Sequence, residues 1–195
     1  SAETAPLIEE SIQKVLDVSE EISSLDFYQT LFKNAITDSF TDLADSPDAA
    51  SFSQKVDQLI TGTPVTNVKI YMEVPKDSPS DINALLNKED LKDTFLSLDQ
   101  VRGTYWYGIF RGSRVSQLFC PSFYLGTKEQ KAYGDQAYIT HASVIYNNGT
   151  YDAYMAVYYS GHDFQQILSE NLTLDGSVSY IMNERNNLVS ASSDS

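Results

Sequence analysis

The sequence predicts an α+β fold: an antiparallel sheet flanked by helices, with a long N-terminal helix. Three observations predict it. Apolar residues before position 61 recur at helical spacing, and the stretch after Gly103 alternates in short runs joined by turn residues. An Asn-Gly step sits between two of those runs. Helices gathered ahead of consecutive hairpin-joined strands go with an antiparallel sheet, not a doubly wound parallel one.

Ile8, Ile12, Val15, Ile22, Leu25, Phe32, Ile36, Phe40 and Leu43 trace one stripe between Ala5 and Leu43. An unbroken helix there has about ten turns and, at about 1.5 Å per residue, exceeds about 50 Å. The alternative is two helices with a bend near Ser23-Ser24. Pro6 suits the first turn. Asp45-Ser46-Pro47-Asp48 breaks the pattern, and a second helix follows over 49–60 with Phe52, Val56, Leu59 and Ile60 on one face. Gly62 and Pro64 end it.

Residues 65–74 alternate, with Val68, Ile70 and Met72 on one side, and form the first strand. Residues 81–98 are helical in pattern and break near Asn87 into two short helices. Strands over 104–110 and 115–125 surround the turn Arg111-Gly112-Ser113-Arg114, and strands over 136–146 and 151–160 surround Asn147-Asn148-Gly149. A short helix over 163–171 and a hairpin of 178–183 with 188–191 complete the chain.

The 195 residues suffice for one large domain, or one domain and a fragment of a second, and 42% hydrophobic content supports a sizeable core. Thirteen tyrosines suit two settings equally, half-buried strands and the walls of a polar-ligand pocket. The charge balance is 13 − 27 = −14, and no basic patch offsets it. Such a field repels nucleic acid and disfavours anionic lipid. Cys120 is single, so it forms no intramolecular disulfide and reads as a buried structural residue. No apolar run reaches about 18 residues and no signal peptide is visible; both ends read as cut points within a longer protein.

Catalytic patterns are missing. There is no Gly-x-Ser-x-Gly elbow, no Gly-rich phosphate loop and no metal-ligand spacing for His141 and His162. Glu9-Glu10, Glu20-Glu21 and Glu89-Asp90 read as solvated helix faces, and Asp42, Asp45 and Asp48 lack the Gly and closing Glu of a calcium loop. His162-Asp163 reads as the start of the late helix, and the sequons at Asn148 and Asn171 as chance. The expectation is a protein that is no enzyme, with no metal and no cofactor. A binding constellation remains. Tyr105 and Tyr107 fall on one strand face and Trp106 on the other, Arg111 and Arg114 follow at the turn, Tyr133, Asp135 and Tyr138 sit where the next long strand begins, and Tyr158-Tyr159 near the end of its hairpin partner.

The succession of Val68-Lys69-Ile70-Tyr71-Met72, Tyr105-Trp106-Tyr107 and Ala153-Tyr154-Met155-Ala156-Val157-Tyr158-Tyr159, then Asp163-Phe164-Gln165-Gln166-Ile167-Leu168 and Tyr180-Ile181-Met182-Asn183 through Leu188-Val189-Ser190-Ala191-Ser192, resembles the extracellular double-Cache (PAS-like) sensors of bacterial histidine kinases and chemoreceptors. The resemblance implies a stalk helix over 1–45, a membrane-distal Cache-type sensor module over 46–171, and a closing hairpin or start of a proximal module over 172–195. It implies an extracytoplasmic domain that binds a small molecule and signals through the N-terminal helix, in a receptor anchored by segments outside this chain and able to dimerise. Pocket residues carried over are Tyr105, Trp106, Tyr107, Arg111, Tyr138 and Tyr158. Tyr158 and Tyr159 stand where amino-acid-binding relatives carry an Asp for the ligand amine, which leaves a sugar, an organic acid or a peptide fragment. The alternative is a cell-surface binding or adhesion module without a signalling role.

Overall fold

Helix α1 (Thr4–Ser23) ends where two serines compete with its own backbone. Ser23 Oγ donates to Ser19 O at 2.7 Å and Ser24 Oγ to Glu20 O at 3.0 Å, a back-bonding that weakens a helix end. The chain turns at Ser24-Leu25 and restarts as α2 (Asp26–Phe32). The ten-turn helix is thus replaced by its alternative, a break near Ser23-Ser24. In this computed structural model the described residues are 4–37, 39–77, 79–161, 180–182 and 188–191. The expected late helix at 163–171, His162 and the Asn171 sequon lie outside them.

Ile36 pairs with the sheet instead of continuing a helix, its N–H donating to Ile145 O at 2.8 Å. A short α3 (Phe40–Ala44) and α4 (Pro47–Ile60) follow, each begun by a serine whose Oγ accepts a first-turn N–H. Pro47 occupies the first turn of α4, and Gly62, at φ 76°, takes the left-handed conformation beyond its end. Strand β1 (Val65–Met72), α5 (Pro79–Asn87) and β2 (Phe95–Ser97) come next. The second short helix expected before Leu98 is therefore β2. A single α5 crossover returns the chain beside β1 in the same direction, so the sheet is mixed rather than wholly antiparallel.

The largest correction is α6 (Tyr105–Gly112), a helix where a strand was expected. Thr104 Oγ1 accepts the Tyr107 N–H and starts it, while Trp106, Tyr107 and Phe110 are buried at one-and-four spacing. Aromatic β-propensity loses to the packing of that face on the sheet. Strand β3 (Gln117–Cys120) is shorter than expected, and a 3₁₀ turn over Ser122–Tyr124 leads into α7 (Thr127–Ala132). Strands β4 (Gln136–Tyr146) and β5 (Gly149–Tyr159) form a long hairpin. Its two-residue turn is Asn147-Asn148, both at positive φ (50° and 61°), with Gly149 already paired to Tyr146. Strands β6 (Tyr180–Met182) and β7 (Leu188–Ala191) pair antiparallel, as the closing hairpin required.

The five-stranded sheet runs β2-β1-β5-β4-β3 and is covered on both faces. Met155, Val157 and Tyr159 of β5 face α1, α2 and α4, meeting Val15, Val18, Ile22, Leu31 and Phe52. Tyr154, Ala156 and Tyr158 point the other way, to Trp106, Tyr107 and Phe110 of α6. Because both faces are covered, β5 is apolar along most of its length instead of alternating. Each large side chain fully buried here contributes about 1.5–3 kcal/mol of transfer free energy.

Candidate functional site

Helix α7 is short, and its position on the α6 side of the sheet is set by one buried carboxylate. Glu129 is 4% exposed. Its Oε1 accepts the Gly126 N–H at 2.9 Å, tying off the first turn of α7, and both oxygens take the Trp106 indole N–H at 3.2 Å. Tyr158 donates its hydroxyl to Oε2 at 2.5 Å. That uses the only hydrogen on the Tyr158 oxygen, so the Tyr71 hydroxyl, 2.7 Å away, donates to it. One carboxylate thus binds α6, α7, β5 and, through Tyr158, β1. Burial, with Tyr71 and Glu129 alongside, pushes the Tyr158 phenol far above its ordinary range, and burial likewise raises Tyr71. Both stay neutral donors at any physiological pH.

Above this network lies a pocket of about 440 Å³. Tyr71, Val101 and Glu129 are its buried lining, and Gln100, Lys128, Lys131, Ala132 and Tyr133 its more open wall. Tyr133 is fixed from behind. Its carbonyl accepts from Thr66 Oγ1 and from Asn67 Nδ2 (2.8 Å), its ring lies 5.3 Å from that of Tyr158, and Lys69 Nζ sits 4.8 Å from its centroid. A mostly apolar concavity with a few placed polar groups is the ordinary form of a small-ligand site. Glu129 already accepts three different donors, so it has little capacity left for a ligand ammonium.

A second pocket, of about 270 Å³, opens at the C-terminal end of α6 beside His141 and Asp152. Asp152 Oδ1 lies 2.8 Å from His141 Nε2, and Oδ2 lies 3.6 Å from Arg111 Nη1.

The six residues expected to form one site are dispersed, four by the helical course of α6 and Tyr138 and Tyr158 by lying on opposite faces of the sheet. Trp106 and Tyr158 are 0% exposed and belong to the buried network under the first pocket, not to its surface. Tyr107 is buried beside Trp106, and the Arg102 guanidinium donates to its hydroxyl at 3.0 Å. Arg111 lines the second pocket. Tyr105 is 63% exposed and stacks on Tyr124, outside both. Tyr138 lies on the opposite sheet face, against Phe119, and donates to Gln117 Oε1.

Glu129, Tyr71, His141 and Asp152 did not emerge from the sequence as site residues. Glu129 had one legible sign, its place three residues after Gly126 at a helix start. Cys120 is buried, and burial pushes its thiol up, the behaviour of a structural cysteine. Among the described residues no group of three or more His, Cys, Asp or Glu is placed to hold a metal ion, and no helix is long and apolar enough to cross a membrane. No protein-family model, no curated protein and no solved structure matches the chain.

Proposed function

We propose that the chain is the ligand-sensing module of a bacterial membrane receptor, of Cache or PAS-like architecture, working on the extracytoplasmic side. The observation that carries the reading is the arrangement of one sheet between two unlike layers. The order β2-β1-β5-β4-β3 sets the N-terminal helices on one face and the Tyr71–Glu129–Tyr133 pocket on the other. Strand β1 carries Tyr71 into the pocket network and Ile70 and Met72 into the layer of α1, so a ligand bears on both through one strand. A small molecule between α7 and β1 then biases the packing of the sheet on α1, by as much as its affinity differs between the two packings. Output through a histidine kinase or chemoreceptor belongs to this proposal, as does a dimer in the intact receptor.

A thermal-shift screen with sugars, organic acids and short peptides tests it. A ligand at 100-fold its Kd adds about 2.7 kcal/mol to stability. Stabilisation that disappears in Tyr133→Ala supports the reading. A screen in which no compound stabilises the protein, or in which Tyr133→Ala responds like the parent chain, overturns it.

One observation favours a surface-binding module without signalling. Tyr105 and Phe123 are 63% and 74% exposed, and both rings lie against Tyr124. Exposed aromatic groups of this kind are contact surfaces. Binding to a cell-wall polysaccharide that is lost in Phe123→Ala, with no response in the Tyr71 pocket, would decide for that reading.

A further inference from the structure

The chain is strongly acidic, yet one pocket gathers basic side chains. The concavity at the end of α6 is lined by Arg111, Arg114 and His141 against a single carboxylate, Asp152. These are two of the four arginines and one of the two histidines in a chain of net charge −14. Asp152 is the organising group. Its side chain is 27% exposed, and each oxygen is engaged, Oδ1 with His141 Nε2 at 2.8 Å and Oδ2 with Arg111 Nη1 at 3.6 Å. Its backbone is held on the β1 side by Glu73. Asp152 O accepts the Glu73 N–H at 2.9 Å, and its N–H donates to Glu73 Oε1 at 3.3 Å.

The arrangement orients donors without using them up. A guanidinium offers five N–H groups, and Asp152 engages one nitrogen of Arg111. The imidazole is fixed three ways: Nε2 at Asp152, its ring 5.1 Å from that of Tyr154, and its backbone N–H on Ser116 O at 2.9 Å. Phe110, Val115 and Tyr154 supply an apolar wall beside these groups. Planar guanidinium forks match the two oxygens of a carboxylate or phosphate, and an apolar wall suits the body that carries them.

We propose that the Arg111–Arg114–His141 pocket binds a small organic anion, a carboxylate or phosphate borne on an apolar body. The site is separate from the Tyr71–Glu129–Tyr133 pocket and stands whether or not that pocket takes a ligand.

Isothermal titration calorimetry tests this with inorganic phosphate, phenyl phosphate, benzoate and the neutral benzyl alcohol. Phenyl phosphate or benzoate is expected to bind at least tenfold more tightly than benzyl alcohol, and the preferred one identifies the head group. Added salt weakens the binding. The double variant Arg111→Ala/Arg114→Ala loses tenfold or more, while Arg102→Ala, whose arginine pairs with Asp99 elsewhere, leaves affinity unchanged. In the unaltered chain, saturating anion moves the His141 imidazole NMR signals, assigned through bonds from the His141 backbone amide. The proposal is overturned if no anionic probe saturates, if benzyl alcohol binds as tightly as benzoate, or if the His141 signals stay in place at saturation.

Discussion

The Tyr158 hydroxyl and the Glu129 carboxylate meet at 2.5 Å in the closed space between β5 and α7, and this contact fastens the floor of the Tyr71–Glu129–Tyr133 pocket. Removing the hydroxyl deprives Glu129 of one donor and leaves the Tyr71 O–H without its acceptor. Tyr158→Phe is therefore expected to cost about 1–3 kcal/mol, read as a lower midpoint in urea unfolding. Tyr71→Phe removes only the end of the chain and should cost less. Equal costs for the two would contradict the order of donation.

Trp106 is part of the core, not a ligand platform. Trp106→Ala removes the largest fully buried side chain and one donor of Glu129, at an expected cost of about 3–5 kcal/mol. As the single tryptophan, Trp106 also reports on the core by fluorescence. Its emission should be that of a shielded indole and should change cooperatively with unfolding. A variant as stable as the parent would refute the placement.

Asp81 ties three elements together and makes the fold acid-sensitive. Its carboxylate accepts the Phe40 N–H at 2.9 Å, the Thr41 N–H and hydroxyl at 3.1 and 2.9 Å, and the Tyr146 hydroxyl. Burial raises its pKa, but these hydrogen bonds together hold it below the ordinary aspartate value. A lowered folded pKa gives stability that is complete above the unfolded value, about 3.9, and is lost as pH falls below it. Asp81→Asn should thus be less stable than the parent at neutral pH, with the two converging below about pH 4. Parallel stability curves down to that pH would count against this role.

Two glycines should respond in opposite ways to alanine. A Cβ on Gly134 would lie 2.9 Å from the Tyr159 carbonyl and 2.9 Å from Thr66 Oγ1, so the chain beside Tyr133 must shift. Gly134→Ala is expected to cost about 1–3 kcal/mol and to weaken binding in the adjacent pocket. A Cβ on Gly108 meets nothing within 4 Å, and Gly108 lies inside α6. Gly108→Ala should stabilise by about 0.5–1 kcal/mol. Thermal unfolding of the pair checks both signs.

Much of the site was illegible in the chain for a physical reason. Trp106 and Tyr158 read in the chain as pocket surface, whereas both are fully buried, and their burial depends on a partner 23 and 29 residues away at Glu129. A lone Glu after Gly126 looks like any solvated helix residue until those donors surround it. His141 stands opposite Tyr154 and Asp152 opposite Ser143, so the two become diagonal neighbours only through the β4–β5 register, which the turn sets at a distance. Arg111 was singled out by its place at an aromatic-flanked turn, and it lies at the end of α6 beside Asp152.

Local chemistry by itself determined the helix-breaking Ser46-Pro47 and Gly62 steps, the long β4–β5 hairpin and the α+β class. These depend on neighbouring residues and backbone torsion alone. Tertiary structure decided that 105–112 is a helix, that 95–97 joins the sheet in parallel, and which tyrosines share a face. An aromatic-rich segment is nearly balanced between helix and strand, and the surface it packs against settles the balance. Burial of a carboxylate is likewise a property of the donors that surround it, and those are assembled only when the sheet is complete.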